Sequence, residues 1–349
     1  MADVYRDPRL GELAGAGVLV TGGGGLVGSR IVAQLAAHGA RPIVLDRFDA
    51  YPHPVRDLFR VDQYGAQVVL GDVRERATVK WLADRADYVI HAAAYADVAA
   101  CTRRPDTAFA ANVHGTQTVL DAVVTSSVKR LVFVSSASVY GDGTPTQNGA
   151  ARFTEDQPLT PISVYANTKL WGEHQVRLML GGSGTGYSIV RYFSVYGDPQ
   201  IPKPGSHSWV VPWLTLSAHT GQPMRLNGGG HQVRDMVHVE DIAHATILAL
   251  VTDQAAGQTI NIGTGHPTSV RRIAELIATH YPDAAFVDTP MPEGDPRGGF
   301  ADPRRATNLL GWRPAITLTE GIDRYVHWLR TTPDAIPDWF TTPAAAPAA

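Results

Sequence analysis

The chain has 349 residues, of which 44% are hydrophobic and 18% charged, and its formal net charge is −3. This length allows about two domains, and the composition is that of a soluble globular protein. The slightly acidic balance argues against binding to nucleic acid or to an anionic membrane surface, because both need a basic field.

Several features of the sequence indicate a cytoplasmic protein. Cys101 is the only cysteine, so no intrachain disulfide can form and a reducing compartment is expected. The first ten residues are polar and charged, unlike the apolar segment of a signal peptide. No apolar run approaches the length of a membrane span.

The first half of the chain alternates short β-branched runs with longer amphipathic stretches. A first helix is expected to end at Gly39, and two further helices are predicted over 107–126 and 163–180. The predicted strands span 17–22, 41–46, 66–72, 86–94, 129–136 and 187–193. Strands that alternate with helices predict an α/β fold, a Rossmann-like doubly wound parallel sheet covered by helices on both faces.

After Tyr196 the sequence changes to a loop rich in proline and glycine. A strand and a helix follow over 233–250, and one more strand is predicted over 258–265. Another helix begins near Val270, and a last one is expected near 319–330. This mixture predicts a smaller mixed α/β unit beside the parallel sheet.

A glycine-rich loop, TGGGGLVGSR, stands between the first predicted strand and the first helix. Gly22, Gly25 and Gly28 have the spacing G-x-x-G-x-x-G. Glycines there let the backbone turn tightly and approach a pyrophosphate, which then faces the helix N-terminus. Turns collect glycine for other reasons, but the position between a strand and a helix indicates dinucleotide binding.

The second and third strands end in carboxylates that bear on the choice of dinucleotide. Asp46 is placed to accept hydrogen bonds from the adenosine ribose and to repel a 2′-phosphate, which favours NAD over NADP. Arg47 argues the other way, because an arginine can attract that phosphate. Asp72 could reach the adenine amine or cap the next helix.

Tyr165 and Lys169 are four residues apart in a predicted helix, so both side chains lie on one helix face. An ammonium near a phenol lowers the phenol pKa, and such a tyrosine can act as a general base or acid. An isolated Y-x-x-x-K is more often a surface tyrosine beside a solvated lysine. Here the chain has only four lysines, and the pair follows the hydroxyl-rich strand end SSASVYG.

Taken in order, these motifs resemble those of the extended short-chain dehydrogenase/reductases, in the group of nucleotide-sugar epimerases and dehydratases. The resemblance extends from about Gly17 to about Pro314. It rests on the segments TGGGGLVGS, GDVR, HAAAYADV, NVHGT, SSASVYG, YANTK, RYFSVYG, QVRDMVHVEDIA, NIGTG and EGDPRGGFADPRRA. It implies NAD as the cofactor, a nucleotide-sugar substrate, no metal, and a homodimer formed through helices 107–126 and 163–180.

The resemblance implies a role for individual residues. Tyr165 is expected to be the catalytic base, Lys169 its electrostatic partner and the anchor of the nicotinamide ribose, and Ser136 a hydrogen-bond partner of the reacting sugar oxygen. Asn112 is expected to support the cofactor site from the neighbouring helix. The remaining expected NAD contacts are Leu26, Val27, Val73, Ala92, Ala93, Ala94, Ser135 and Tyr192.

Position 138 distinguishes the reactions of this family. Dehydratases and the glucuronate decarboxylase have an acid there, usually Glu, and the 3,5-epimerases have Cys. Ser138 is a poor base for a carbon-bound proton, but its hydroxyl can hydrogen-bond O4 or O6 of the sugar. A serine or threonine here resembles the 4-epimerases, which invert C4 through a 4-keto intermediate.

The resemblance also suggests how the nucleotide diphosphate is bound. Arg234 matches a diphosphate-binding arginine of the family, and Arg297 is a second candidate, since paired guanidinium groups suit a diphosphate. Each could instead pair with a nearby carboxylate, Asp235 or Asp295. The other substrate-binding candidates are Val211 and Arg225.

Three departures from the family pattern bear on the sugar and the base. Ser194 replaces a common Asn, which makes a C6 carboxylate plausible, although Lys203 or His207 would have to replace an Arg that follows in such enzymes. Asn227 stands where many relatives place an aromatic residue against the base. Gly299 replaces a bulky residue and suggests room for an N-acetyl group or a larger sugar.

The sequence therefore predicts an NAD-dependent 4-epimerase of a UDP-hexose or UDP-hexuronate. The alternatives are an epimerase of a UDP-N-acetylhexosamine or of an ADP- or GDP-linked sugar or heptose, an NDP-4-ketosugar reductase, and an NAD-binding regulator. Such regulators commonly lack the Tyr or Lys of the pair. The expected division is an NAD-binding domain (1–193 and 233–263), a nucleotide-sugar domain (194–232 and 264–335), and a Pro/Ala-rich tail (336–349).

Overall fold

A computed structural model describes residues 5–49, 51, 55–142, 150–203, 209–291, 297–332 and 335–341 of the chain. In these ranges no helix is both long enough and apolar enough to cross a membrane. The strands are β1 (Gly17–Thr21), β2 (Arg41–Asp46), β3 (Gln67–Leu70), β4 (Tyr88–His91), β5 (Arg130–Ser136), β6 (Ala151–Phe153), β7 (Gly186–Tyr192), β8 (Ser194–Tyr196), β9 (Met224–Asn227), β10 (Val233–Arg234), β11 (Met236–His238), β12 (Thr259–Ile262), β13 (Thr268–Ser269), β14 (Phe286–Thr289) and β15 (Gly299–Ala301).

The helices include one π-helical segment, Phe109–His114, directly before α5. The α-helices are α1 (Leu26–Ala37), α2 (Arg76–Ala83), α3 (Val98–Arg103), α4 (Pro105–Ala108), α5 (Gly115–Val124), α6 (Val164–Leu180), α7 (Val210–His219), α8 (Val239–Val251), α9 (Val270–Ala278), α10 (Arg304–Leu310), α11 (Leu318–Thr331) and α12 (Asp338–Thr341).

Seven parallel strands form the central sheet, in the order β12-β7-β5-β4-β1-β2-β3. β1 pairs in parallel with both β2 and β4, so the strand order reverses between β1 and β4. In a doubly wound sheet, ligands bind at the carboxyl ends of the strands beside such a switch point. The predicted fold class is confirmed, and the glycine loop after β1 lies at this position.

The two faces of the sheet are covered by different helices. Val18 and Val20 of β1 pack in one apolar cluster with side chains of α1 and α8. Leu19, which points to the other face, packs in a second cluster with side chains of α5 and α6. α8 is buried along almost its whole length. Both faces of β1 are therefore apolar, as expected for a central parallel strand.

The smaller unit consists of short strand pairs and helices. β8 pairs with β11, β9 with β14, β10 with β13, and β6 with β15. α7, α9 and α11 pack around a separate apolar cluster that includes Tyr196, Leu214, Ile273 and Val326. Because β6 and β15 come from distant parts of the chain, their pairing joins the first half of the sequence to this unit.

The structure differs from the predicted elements in several places. The helix predicted over 107–126 contains the π-helical turn, and α7 and β9 had no counterpart in the prediction. The predicted tail is shorter than expected, because α12 lies within it. Trp339 and Phe340 of α12 pack with Trp213 of α7 and with Leu329 of α11, so burial of aromatic surface orders this segment.

Candidate active site

The glycine loop at the end of β1 is shaped by close backbone contacts. Gly22 has a φ of +74°, and a Cβ added there would lie 2.7 Å from the backbone nitrogen of Ala93. A Cβ on Gly28 would lie 2.1 Å from the carbonyl oxygen of Gly22. Gly25 is the N-cap of α1, and a Cβ on it would meet only one ordinary contact. The first two positions need glycine for packing, whereas the third leaves space at the helix N-terminus.

Asp46 is fixed beside this loop by backbone donors. Its carboxylate accepts hydrogen bonds from the backbone N–H of Gly24 at 2.9 Å and of Phe48 at 2.7 Å. Phe48 has a φ of +52°, a conformation that is rare for a bulky residue. Burial raises the pKa of Asp46, although these hydrogen bonds oppose the rise. The carboxylate is therefore held rigidly where a ribose diol would meet it.

The neighbouring Arg47 is engaged by carboxylates. Its guanidinium pairs with Asp49 and, at 3.3 Å, with Asp72. Asp72 also accepts hydrogen bonds from Arg74, whose side chain lowers the pKa of this carboxyl. Asp72 is not the N-cap of α2, which is Glu75. Paired in this way, Arg47 is less available to a 2′-phosphate, which agrees with a preference for NAD.

The short segments expected to contact the cofactor lie beside the glycine loop. Leu26 and Val27 are the first two residues of α1. The backbone N–H of Ala93 donates to the Thr21 hydroxyl at 3.3 Å, which ties the loop after β4 to β1. Ala92 and Ala94 flank this contact.

Two further predicted cofactor residues make intramolecular contacts. Val73 packs against Gly115 of α5, where an added Cβ would lie 2.6 Å from a Val73 methyl group. The Tyr192 hydroxyl hydrogen-bonds that of Thr246 in α8 at 2.6 Å, inside the apolar core. The hydroxyl group of Tyr192 is thus engaged inside the protein core.

Ser136, Tyr165 and Lys169 come together at the carboxyl end of β5. The side chains of Ser136 and Tyr165 are hydrogen-bonded to each other. Lys169 is 3% exposed, and its Nζ donates to the carbonyl oxygen of Val134 at 2.9 Å. The same Nζ lies 5.9 Å from the centre of the Tyr165 ring. The spacing in the sequence had predicted this arrangement of the pair on one face of α6.

The ionisation of the pair departs from the expectation. Burial raises the pKa of Tyr165, the nearby Cys101 thiol adds to the rise, and the hydrogen bond with Ser136 opposes it. Burial lowers the pKa of Lys169 to about 8, and the negative charge of Glu173 opposes this change. The expected lowering of the Tyr165 pKa by Lys169 is not found in this structure, because desolvation dominates and Nζ donates to Val134.

The other two serines of SSASVYG have different surroundings. Ser138 lies in the short 3₁₀ helix Ala137–Tyr140, and its backbone N–H donates to the Ser136 hydroxyl at 3.1 Å. The Ser138 Oγ is buried and, within the described part of the chain, has no hydrogen-bond partner. The Ser135 hydroxyl instead donates to a Glu173 carboxylate oxygen at 2.7 Å. Ser135, a predicted cofactor contact, is thus directed into the protein.

Asn112 in the π-helical turn holds two parts of the site together. Its Oδ1 accepts from the backbone N–H of Tyr95 at 2.7 Å, and its Nδ2 donates to the Tyr95 carbonyl at 3.2 Å. The same Nδ2 donates to the Thr168 hydroxyl of α6 at 3.0 Å. The amide is therefore occupied by the loop after β4 and by the helix of Tyr165.

A buried polar network behind β5 was not predicted. Glu173 pairs with Arg191, whose Nη1 donates to the Tyr140 hydroxyl at 2.8 Å. That hydroxyl donates to Asn261 at 2.7 Å. Glu173 stands four residues after Lys169, a spacing that could have suggested a common helix face. No pattern in the sequence identified its partner.

His91 forms a second unpredicted network beneath the glycine loop. Its ring nitrogens bond the Thr21 hydroxyl at 2.7 Å and the Thr116 hydroxyl at 2.9 Å. The Thr116 hydroxyl also donates to the carbonyl of Asn112 at 2.6 Å. Burial lowers the pKa of His91 to about 3, so this imidazole is neutral and links β1, β4 and the π-helical turn.

The predicted diphosphate ligands lie beside a surface cavity. Arg297 and Gly298 line a cavity of about 270 Å³, together with His231 and Gln232. The Gln232 Oε1 is buried with no hydrogen-bond partner among the described residues. The Arg234 Nη1 lies against Gly298, 2.6 Å from where a Cβ on it would be. Arg297 thus lines the cavity, and the Arg234 guanidinium lies beside the neighbouring Gly298.

The sequence also allowed each arginine to pair with a nearby carboxylate, Arg234 with Asp235 and Arg297 with Asp295. Asp235 does not form an ion pair with Arg234. Its carboxylate accepts from Thr264 and from the backbone N–H groups of Gly265 and Ala301. Asp295, the possible partner of Arg297, lies outside the described residues.

The remaining substrate candidates are dispersed. Ser194 begins β8, opposite Met236 of β11. Arg225 is exposed on β9, and Asn227 accepts a hydrogen bond from the Thr289 hydroxyl at 2.8 Å. Val211 is fully buried in the core of the smaller unit, so its side chain has no free surface for a ligand.

Three other expectations concern Gly299, Lys203 and His207. Gly299 does not provide the expected room, because an added Cβ would lie 2.4 Å from the Ala151 carbonyl and 2.6 Å from the Phe153 ring. Pairing of β15 with β6 requires a small residue there. Lys203 is partly buried among aromatic side chains. His207 lies outside the described residues.

Comparisons with known proteins agree with this arrangement. Residues 18–263 match the model of the NAD dependent epimerase/dehydratase family. The chain is 33% identical over 315 residues to a UDP-glucose 4-epimerase of Lactobacillus helveticus, covering 85% of this chain and 92% of the relative. It is 32% identical to a dTDP-glucose 4,6-dehydratase of Mycolicibacterium smegmatis, covering 91% and 97%.

Among solved structures, the UDP-glucuronic acid 4-epimerase of Bacillus cereus, in complex with UDP-glucuronic acid and NAD, superposes with a TM-score of 0.81 at 25% identity. The comparison covers 90% of this chain and 99% of that one. The glycine cradle and the backbone-held Asp46 fit NAD, because they leave room for a pyrophosphate at α1 and offer a fixed carboxylate to a ribose. The chain therefore belongs to the NAD dependent epimerase/dehydratase family.

Proposed function

We propose that the protein is an NAD-dependent 4-epimerase that inverts C4 of a UDP-linked hexose or hexuronate through a 4-keto intermediate. The observation that supports it most is the cluster of Ser136, Tyr165 and Lys169 beside the unpartnered Ser138 hydroxyl. This cluster offers a proton acceptor and hydroxyl donors for one sugar alcohol, and no carboxylate at position 138.

The chain's own groups have defined roles in this proposal. Tyr165 takes the proton of the sugar 4-hydroxyl and returns it after the ketone has turned over, while Ser136 hydrogen-bonds the same oxygen. When bound beside the glycine loop and Asp46, NAD would supply the hydride acceptor for C4 and the hydride donor for the opposite face of the ketone. Burial raises the pKa of Tyr165, and in this proposal the Lys169 ammonium stabilises the phenolate once its Nζ turns from the Val134 carbonyl toward Tyr165.

Position 138 favours epimerisation over dehydration. A 4,6-dehydratase is among the relatives, so overall similarity does not separate the two reactions. Elimination across C5 and C6 needs a group that removes a carbon-bound proton, and a neutral hydroxyl does this poorly. The buried, unpartnered Oγ of Ser138 instead suits a hydrogen bond to a sugar oxygen, since burial of an unsatisfied hydroxyl is otherwise costly.

The nature of the substrate is supported by the cavity that Arg297 lines and by the Arg234 guanidinium beside the neighbouring Gly298. Two guanidinium groups in this region suit the two phosphates of a nucleotide diphosphate. UDP is proposed because the similar proteins include a UDP-glucose 4-epimerase and a UDP-glucuronic acid 4-epimerase. Ser194 allows either a hydroxymethyl or a carboxylate at C6. Because Gly299 is closed off by Ala151 and Phe153, no extra room for an N-acetyl group is inferred from that position.

We keep the division into an NAD-binding domain (1–193 and 233–263) and a nucleotide-sugar domain (194–232 and 264–335) as a proposal, in which β6, β10 and β11 of the first domain pair with strands of the second. We further propose a cytoplasmic homodimer that forms through the surface of the π-helical turn and α6. Phe109 and Leu178 support this proposal, because they are exposed apolar residues on these elements, at 61% and 79%, and exposed apolar surface often marks an interface.

The experiment is incubation with UDP-glucose, UDP-glucuronate, UDP-N-acetylglucosamine and ADP- and GDP-linked sugars, followed by NMR of the products. We expect UDP-glucose or UDP-glucuronate to equilibrate with its C4 epimer without consumption of reduced cofactor. A 4-keto-6-deoxy product would identify a dehydratase instead. Stoichiometric loss of NADH or NADPH with a ketosugar would identify a reductase, and the absence of turnover with every sugar would favour the regulator.

A further inference from the structure

Lys203 lies between two aromatic rings that belong to different segments of the chain. Its Nζ is 4.9 Å from the ring centre of Tyr51, which follows β2, and 5.6 Å from that of Trp209, which precedes α7. Both distances are within the range of cation–π attraction. The ammonium is therefore held in one place although its side chain is long and flexible.

This arrangement adjoins the N-terminus of α1. Ile201, two residues before Lys203, packs in one apolar cluster with Phe59 and with Leu26, the first residue of α1. The Tyr51 ring stacks on Phe59 with a centroid distance of 4.9 Å. The segment after β2 and the loop after β8 thus meet over the end of α1, directly beside the glycine cradle.

The carboxylates nearest to Lys203 are engaged by other groups. Burial lowers the pKa of its ammonium, and the carboxylates of Asp97, Asp49 and Asp46 oppose the change. Asp49 pairs with Arg47, and Asp97 caps α3 by accepting from the backbone N–H of Ala100. Within the described residues no carboxylate oxygen lies within 4.0 Å of the Lys203 Nζ.

We propose that Lys203 binds the diphosphate of the NAD cofactor and that Tyr51 and Trp209 hold it there, so that this group retains the cofactor and does not bind the sugar nucleotide. The glycine loop supplies only backbone donors and the N-terminal dipole of α1 to that diphosphate. Because the loop that carries Lys203 packs against Leu26 at the start of α1, an ammonium there would add a full charge near that diphosphate. The proposal rests on the proposed epimerase function in one respect: an enzyme that returns the hydride must keep its cofactor throughout turnover.

The test compares wild type with Lys203→Met and Lys203→Arg, all purified with NAD bound. NAD release after dilution is followed by the amount of cofactor that remains on the protein, with no sugar nucleotide present. We expect Lys203→Met to release NAD at least about 10-fold faster, with a weaker dependence on salt than in wild type. Lys203→Arg should restore slow release, because the charge is retained.

Two further variants distinguish a specific role of Lys203 in NAD retention from general damage to the protein. Tyr51→Leu should accelerate release to an intermediate extent, because the ammonium loses one of its rings. Lys129→Met should have no effect, since Lys129 is an exposed lysine that pairs with Asp87 at the opposite end of β5.

The proposal is overturned if Lys203→Met releases NAD at the wild-type rate. It is equally overturned if Lys203→Met raises the KM for the sugar nucleotide while NAD release is unchanged, since Lys203 would then be a substrate ligand. Because release is measured without a sugar, the result is independent of whether the protein epimerises UDP-glucose or another compound. If the protein proved not to be an epimerase, the NAD release rates would still test the role of Lys203.

Discussion

Glu173 and Arg191 form a two-pronged ion pair beneath the proposed catalytic pair. The Arg191 Nε donates to Oε1 at 2.8 Å, and Nη2 donates to Oε2 at 2.7 Å. Both side chains are almost completely buried, at 0% and 2% exposure. Because Glu173 is one helical turn from Lys169 and also accepts from Ser135, the pair fixes α6 against β5 and β7.

Replacement of Glu173 by Gln should strongly destabilise the protein. A buried guanidinium that loses its carboxylate leaves an uncompensated charge, which costs about 3–5 kcal/mol. Urea denaturation measures this loss. The matched control is Glu320→Gln, which removes the carboxylate of the exposed Glu320–Arg324 pair and should cost under about 1 kcal/mol. Equal losses in the two variants would show that the buried pair has no special role.

Ser135→Ala should lower the stability of the protein, whereas Ser138→Ala should lower its activity. Ser135→Ala removes a hydrogen bond to the Glu173 carboxylate and should cost about 1.5–3 kcal/mol of stability. Ser138→Ala removes a buried hydroxyl without a partner, so stability should be unchanged or slightly higher. Its kcat/KM should fall about 10-fold if the hydroxyl bonds the sugar. A stable Ser138→Ala enzyme with full activity would remove Ser138 from the site.

Three buried histidines should make the protein less stable as the pH falls. Burial lowers the pKa of His91 and of His238 to about 3, and that of His244 to about 4. As the pH falls below about 6.5, the unfolded chain binds protons that the folded chain excludes, so stability is lost on acidification. At pH 5 each histidine should cost roughly 2 kcal/mol.

His244 allows this effect to be isolated. Its Nε2 is buried without a partner among the described residues, and its ring packs edge-on against Tyr5, so His244→Phe preserves the contact. Urea midpoints at pH 7.5 and pH 5 should differ less in His244→Phe than in wild type. His266→Phe, at an exposed histidine, should leave the difference as it is. The same pH dependence in all three proteins would refute the assignment.

Asp46 should determine the preference for NAD over NADP. Asp46→Asn removes the negative charge and one of the two acceptors for the N–H groups of Gly24 and Phe48. The Kd for NAD should rise about 10-fold, and the ratio of the Kd values for NADP and NAD should move toward one. Adding Asp72→Asn should extend the change, because Arg47 loses its pairing with Asp72. An unchanged ratio would mean that another group excludes the 2′-phosphate.

Local patterns in the sequence were enough to predict the sheet and the proposed catalytic pair. The 3.6-residue helix period alone places Tyr165 and Lys169 on one face of α6, and the N-cap Ser163 fixes where that helix begins. Likewise, Gly28 meets the carbonyl of Gly22 within the strand–loop–helix turn itself, so this part of the glycine spacing is a local pattern. Gly22 differs, because its close contacts are with Ala92 and Ala93 in the loop after β4.

Features that depend on distant parts of the chain were not predicted. Arg191 lies 18 residues after Glu173, and only the pairing of β5 with β7 brings it to α6. Gly299 looked like free space because its strand partner, Ala151, was not known from the sequence. The position of Lys203 depends on a loop and on Tyr51, more than 150 residues earlier, and no periodic pattern relates them.

The most direct test of the proposed reaction is turnover of the active sugar nucleotide in D₂O, analysed by NMR and mass spectrometry, with Tyr165→Phe as the inactive reference. The C4 hydrogen leaves as a hydride and returns to the same carbon, so the account predicts C4 inversion with no deuterium on any carbon. Tyr165→Phe should lose almost all of this activity. Deuterium at C4 or C5 of the product, or full activity in Tyr165→Phe, would contradict the account.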